Sequence, residues 1–180
     1  MAMTESAQIP LTTVSGPENM IEVKDLTVGY GSNIVLQNLN FSVKRGEVFV
    51  ILGGSGCGKS SLLKNMIGLY EPPQGSVMIE GQNIVTADGA ARQQILTRFG
   101  VMYQQGALFG SMTLLENVRL FLEEYTRLSE DEMSLIARCK LDLVGLLPLE
   151  SFMPSEISGG MQKRAAIARA MALDPDILFL

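Results

Sequence analysis

Histidine is absent from all 180 residues. That one absence removes Ser-His-Asp and Cys-His nucleophilic catalysis, and with them every imidazole-bound metal centre. If the chain is catalytic, phosphoryl chemistry, which works by positioning and electrostatics, is the best fit. Cysteine is scarce: Cys57 and Cys139 stand alone, fit neither a disulfide framework nor a metal-ligand spacing, and suit a reducing compartment. Basic charge is thin, with 14 Lys and Arg against 19 Asp and Glu, a net charge of −5 and no basic run longer than a pair. A nucleic-acid face needs clustered Lys and Arg, so no nucleic acid is expected as a partner. No apolar run reaches bilayer length, and residues 1–18 offer neither a basic n-region nor an apolar h-region. The chain is therefore expected to be neither secreted nor membrane-spanning. What is plentiful is apolar residue, 47% against 18% charged, enough to build a globular core.

Function concentrates in one stretch, Gly53-Gly54-Ser55-Gly56-Cys57-Gly58-Lys59-Ser60-Ser61. It follows the apolar run Val48–Leu52 and leads into Leu62-Leu63-Lys64-Asn65-Met66-Ile67, so strand, loop and helix are expected in that order. Glycines let the backbone turn its N–H groups inward toward phosphate oxygens, and the helix adds its positive dipole end. Lys59 supplies a full charge to the β- and γ-phosphates, and the Ser60 hydroxyl is a hard oxygen suited to Mg²⁺. Gly-rich turns also join strands to helices for geometry alone, but Gly53, Gly58, Lys59 and Ser60 hold the spacing that phosphate binding requires.

The rest of the chain is ordered around that loop. Residues 1–18 lack periodicity and read as a flexible tail, with the domain proper at 19–180. Ile21, Val23, Leu26 and Val28, then Leu39, Phe41 and Val43, mark two strands joined by a turn at Tyr30-Gly31, where Tyr30 by itself reads as a packing residue. Beyond Gly68 come a turn at Glu71–Gly75, a strand at Ser76–Glu80, a helix over Ala90–Arg98 and a strand Val101–Tyr103 that delivers Gln104 to its end. Capping boxes at Thr113–Glu116 and Ser129–Glu132 open a helical insert over 113–145. Leu115, Val118 and Leu122 form its packing stripe, widened by Leu114 and Phe121, while Glu123, Glu124 and 130–132 are solvated. Ser158 is a good N-cap for a small-residue helix that begins at Gly159-Gly160 and ends at Asp174-Pro175-Asp176. The apolar residues Ile177–Leu180 read as a buried parallel strand.

Together the loop, Gln104 and Ser158-Gly159-Gly160 resemble the ATP-binding cassette family over about residues 20–180. The resemblance implies an α/β P-loop NTPase with a RecA-like core, an N-terminal antiparallel β subdomain and an α-helical subdomain at about 106–157. It implies ATP and Mg²⁺ as cofactors, with Tyr30 stacked on adenine. Gln104 would touch Mg²⁺ and the attacking water. Ser158, Gly159 and Gly160 would contact the γ-phosphate held by a second copy in a head-to-tail dimer. One departure is Met161, where the family usually has glutamine; Gln162 follows one place later.

More narrowly, Gln104–Phe109 and Met153–Met161 look like the cassettes of Mla and Mce lipid-transport systems. That likeness implies phospholipid trafficking, an integral-membrane permease docked near Gly106–Phe109, MCE-type and STAS-type subunits, and a place on the cytoplasmic side of the inner membrane. Importer cassettes for other substrates such as amino acids share most of these residues. The 106–109 segment has a plain alternative as core beneath the insert. In the family an Asp-Glu pair follows a run like Ile177–Leu180, with a switch histidine further on. The chain is thus expected to be a C-terminally truncated cassette, deficient in hydrolysis and at the limit a pure nucleotide-binding module. A clamp acting in repair or translation is disfavoured by the acidic balance.

Overall fold

The computed structural model describes residues 18–31, 33–103 and 107–180, the Tyr30 side chain excepted. An antiparallel sheet comes first. Strands β1 (Asn19–Tyr30), β2 (Asn33–Lys44), β3 (Gln74–Ile79) and β4 (Gln82–Asn83) lie in the order β2-β1-β3-β4. In β1 the buried residues switch parity, from Ile21 and Val23 to Leu26 and Val28. A period-2 strand can bury both sets only if an extra residue is absorbed between them. The register slips between Val23 and Leu26, where Asp25 adopts φ 47°. Asn40 pins that bulge, accepting from the Asp25 N–H at 3.0 Å and donating to the Asp25 carboxylate at 3.1 Å.

Helices α1 (Lys59–Met66) and α2 (Gly89–Leu96) pack beside this sheet. A second sheet pairs β5 (Phe99–Val101) with β6 (Ile177–Phe179) in parallel. One apolar cluster joins all of these through Ile21, Val23, Val77, Leu62, Met66, Ile95, Phe99 and Phe179. Arg45, Glu80, Arg98 and Asp176 add a half-exposed ionic tie between the two sheets, its tightest contacts at 3.1 and 3.2 Å from Arg45 to Asp176 and Glu80.

A second cluster belongs to helices α3 (Leu114–Tyr125), α4 (Glu130–Leu143) and α5 (Gly159–Ala170). Leu114, Val118, Leu122, Met133, Ala137 and Leu141 close on Ala165, Ala168 and Ala172. Both expected capping boxes form: Glu116 N–H donates to the Thr113 hydroxyl at 3.2 Å and Thr113 N–H to the Glu116 carboxylate at 2.7 Å, with the same pair of bonds between Ser129 and Glu132. No helix among the described residues is long and apolar enough to cross a membrane.

Several expectations need correction. Val48–Leu52 forms no strand and pairs with neither sheet, and all five side chains are exposed, Val48 at 89% and Leu52 at 87%. An apolar run becomes a strand only by pairing its backbone, and here it finds no ladder. The strand expected at Val101–Tyr103 lies earlier, because the parallel register sets Phe99 opposite Ile177 and Val101 opposite Phe179. The helix before it is likewise earlier and shorter than 90–98. Of Ile177–Leu180 only Phe179 is buried, since β6 has a strand on one side alone. In α3 the buried face is Leu114, Asn117, Val118 and Leu122, with Leu115 half-buried and Phe121 exposed. The true stripe runs in steps of four from Leu114, a phase disguised by the polar Asn117.

Candidate functional site

At the foot of α1 the N-cap is Gly58, held at φ 99° and making no side-chain cap hydrogen bond, the kind of helix start at which anions bind. A Cβ on Gly58 would sit 2.8 Å from Val35 Cγ1, so both the backbone and the neighbouring β2 demand glycine. Gly53 is fixed by a different contact: the Cys57 sulfur packs over it, 2.5 Å from where a Cβ would be. Lys59 folds back over the loop and its Nζ donates to the Gly53 and Gly54 carbonyls, each at 2.7 Å, with Cys57 Sγ at 3.5 Å. Gly53, Gly54, Ser55, Gly56 and Cys57 are exposed, as is Ser60 on the first helical turn, and Ser61 is half-buried. From Val48 to Tyr70 the chain holds Lys59 and Lys64 and no acidic residue. A half-buried ammonium, uncapped helix amides and a local excess of positive charge make a receptor for an oligophosphate.

The donor set suits Mg²⁺ that arrives with such a ligand. Among the described residues no group of three His, Cys, Asp or Glu could hold a metal unaided. Mg²⁺ is content with one protein oxygen, here the Ser60 hydroxyl, when phosphates and waters supply the rest.

Ser158 caps α5, its hydroxyl accepting from the Met161 N–H at 3.3 Å. Gly159 and Gly160 occupy the first helical turn, and a Cβ added to either would meet nothing within 4 Å. Glycine in a helix costs up to about 1 kcal/mol against alanine, and no contact among the described residues requires it here. Their smoothness is presented outward. This terminus stands on the helical cluster while the Gly53–Ser61 loop stands on the sheet cluster, so one chain carries two separate glycine-marked helix starts.

Two residues not anticipated from the sequence organise the segment between them. Asn117, fully buried on α3, accepts from the Phe109 N–H at 2.8 Å and donates to the carbonyls of Phe109, Met112 and Thr113 at 3.1, 3.0 and 2.9 Å. Arg169, 6% exposed on α5, donates to the Ala107 carbonyl at 2.8 Å and lies 5.9 Å from the Phe109 ring and 6.0 Å from Phe121. Burial pushes its guanidinium below the usual arginine range, with Tyr103 acting weakly the other way. The available signal was a polar or charged residue on a face otherwise apolar. Beside Arg169 opens a cavity of about 320 Å³, walled by Ile67, Leu96, Tyr103, Phe121 and Tyr125. Leu108 packs on the helical cluster while Phe109 stays 49% exposed, so the 106–109 expectation divides between core and surface. Gln104, Gly106 and the Tyr30 side chain lie outside the described residues.

Comparison with known proteins adds four relationships. The profile of the ABC transporter family matches residues 36–180. The chain is 48% identical over 158 residues to a probable ribonucleotide transport ATP-binding protein of Mycobacterium leprae, covering 88% of this chain and 46% of that protein. It is 42% identical over 161 residues to the intermembrane phospholipid transport system ATP-binding protein of Haemophilus influenzae, covering 89% of this chain and 61% of the relative. It thus spans about half the length of these curated relatives. Among solved structures, a dimeric post-hydrolysis ATP-binding cassette bound to ADP and Pi superposes with a TM-score of 0.81 at 35% identity, over 88% of this chain and 72% of that one.

Proposed function

The chain belongs to the ABC transporter family, and from that premise we propose that it is the ATP-binding subunit of a transporter that moves phospholipid between membranes. The observation that carries the nucleotide reading is Lys59, whose ammonium rests on the Gly53 and Gly54 carbonyls at the foot of an uncapped helix. In this reading the loop amides and Lys59 take the β- and γ-phosphates, and the Ser60 hydroxyl, with Gln104, holds Mg²⁺. Bound Mg²⁺ neutralises charge that develops on the phosphates. Tyr30 receives the adenine, and Gln104 orients the attacking water.

Ser158, Gly159 and Gly160 serve a second copy. Two bare glycines in a first helical turn allow close approach to a γ-phosphate held by the facing cassette, which the dimeric relative bound to ADP and Pi makes reasonable. Closure on ATP and reopening after hydrolysis would then drive an integral-membrane permease. The half-exposed Phe109 is the docking surface we assign to that permease, which keeps this subunit peripheral on the cytoplasmic side of the inner membrane. MCE-type and STAS-type subunits complete the assembly.

Phospholipid as cargo rests on the sequence likeness of Gln104–Phe109 and Met153–Met161 to lipid-transport cassettes and on the name of the Haemophilus relative. The mycobacterial name points instead to ribonucleotide. Reconstitution of the full-length protein with its permease in vesicles separates the two. Lys59-dependent phosphate release stimulated by phospholipid supports the proposal. Stimulation by ribonucleotide replaces the cargo, and release that survives Lys59→Ala removes the mechanism.

A further inference from the structure

Arg169 is costly where it stands. An arginine only 6% exposed, on a helix face shared with Ala165, Ala166 and Ala168, pays a desolvation penalty that an apolar side chain of similar length would avoid. Only its contacts account for it. The planar fork donates to Ala107, 62 positions earlier, and at the same time lies against the rings of Phe109 and Phe121. Asn117 independently ties Phe109, Met112 and Thr113 to α3. Segment 107–113 is therefore held at one end by α5 and along its length by α3.

We infer that Arg169 is a positioning residue that fixes the chain just downstream of Gln104 to the helix that begins at Ser158-Gly159-Gly160. The inference rests on the nucleotide reading above. One end of α5 faces the second copy's phosphate, and its eleventh residue grips the segment that continues from Gln104. A shift of α5 as the dimer closes is thereby passed to the 107–109 segment through the bond to Ala107 and the contacts with the Phe109 and Phe121 rings. Asn117 cannot do this, because it answers to α3.

The test uses the full-length protein assembled with its permease, comparing wild type with Arg169→Met, Arg169→Lys and Phe121→Leu. Methionine fills the volume without the charge, so thermal stability should hold or rise. Turnover should nevertheless fall about 10-fold or more, the scale on which misplaced catalytic groups act, while KM for ATP stays within about 2-fold. Lysine keeps a donor for Ala107 but loses the planar fork, so Arg169→Lys should recover part of kcat; Phe121→Leu should lower kcat by a smaller step. Wild-type kcat in Arg169→Met, or a rise in KM at unchanged kcat, overturns the inference. If Arg169→Met does not fold, Arg169→Lys and Phe121→Leu decide, and wild-type kcat in both overturns it. Wild-type protein without Lys59-dependent phosphate release would instead defeat the nucleotide reading, and this inference with it.

Discussion

Cys57 and Cys139 are both exposed thiols, yet their surroundings differ. Cys57 Sγ lies 3.5 Å from the Lys59 ammonium and presses on Gly53, inside the loop that would close on phosphates. Cys139 sits on α4, part of the helical cluster's framework. Nucleotide in the loop should therefore shield Cys57 from alkylation and leave Cys139 untouched. Mass spectrometry of labelled peptides with and without Mg-ATP reads this directly, and equal labelling of Cys57 in both samples would contradict it. At this scale Gly58 and Lys59 were legible from the sequence because their roles follow from local backbone geometry and charge. The packing of Cys57 over Gly53 and the burial of Arg169 were not, since each depends on atoms brought close only by folding.

The elements differ in how far they carry their own instructions. Thr113 and Ser129 announce their helices because a capping box is complete within four residues. Glu116 is held below the ordinary glutamate range by the Thr113 amide and then its hydroxyl, and Glu132 by the Ser129 hydroxyl and then its amide. A lowered folded-state pKa gives stability that is fully present above the unfolded value near 4.3 and is lost as pH falls through the lowered folded values. The stability gap between wild type and a Thr113→Ala, Ser129→Ala double variant should thus be widest near neutral pH and narrow below about pH 4. A gap that is constant or grows on acidification would refute this assignment. Val48–Leu52 shows the opposite case, an apolar run whose structure depends on a pairing partner that its own residues cannot supply. Asn117 hid the phase of α3 because its polarity suggested a solvent face. Replacing it with Leu should destabilise the chain by about 1–3 kcal/mol, by stranding the Phe109 N–H and carbonyls it now serves. Urea unfolding at neutral pH measures that loss, and an unchanged midpoint would mean the segment does not need it.

For the molecule as a whole, two packing units carry two helix starts of different character. The loop start is rigid by necessity, since Gly58 admits no side chain and Lys59 is anchored on backbone carbonyls. The Ser158 start is open: among the described residues a Cβ on Gly159 or Gly160 would meet nothing within 4 Å. That asymmetry suits a chain that grips one nucleotide and touches another, and both starts could be located from the sequence because glycine and serine mark helix ends plainly. What holds the 107–113 segment to the helical unit, Arg169 and Asn117, could not. The nucleotide grip is the claim on which everything else depends. Titration calorimetry of Mg-ATP into the full-length protein and its Lys59→Ala variant tests it: wild type should bind saturably, and the variant about 10- to 100-fold more weakly through loss of charge-assisted contacts worth roughly 1.5–3 kcal/mol. Equal affinity in the two proteins would contradict it.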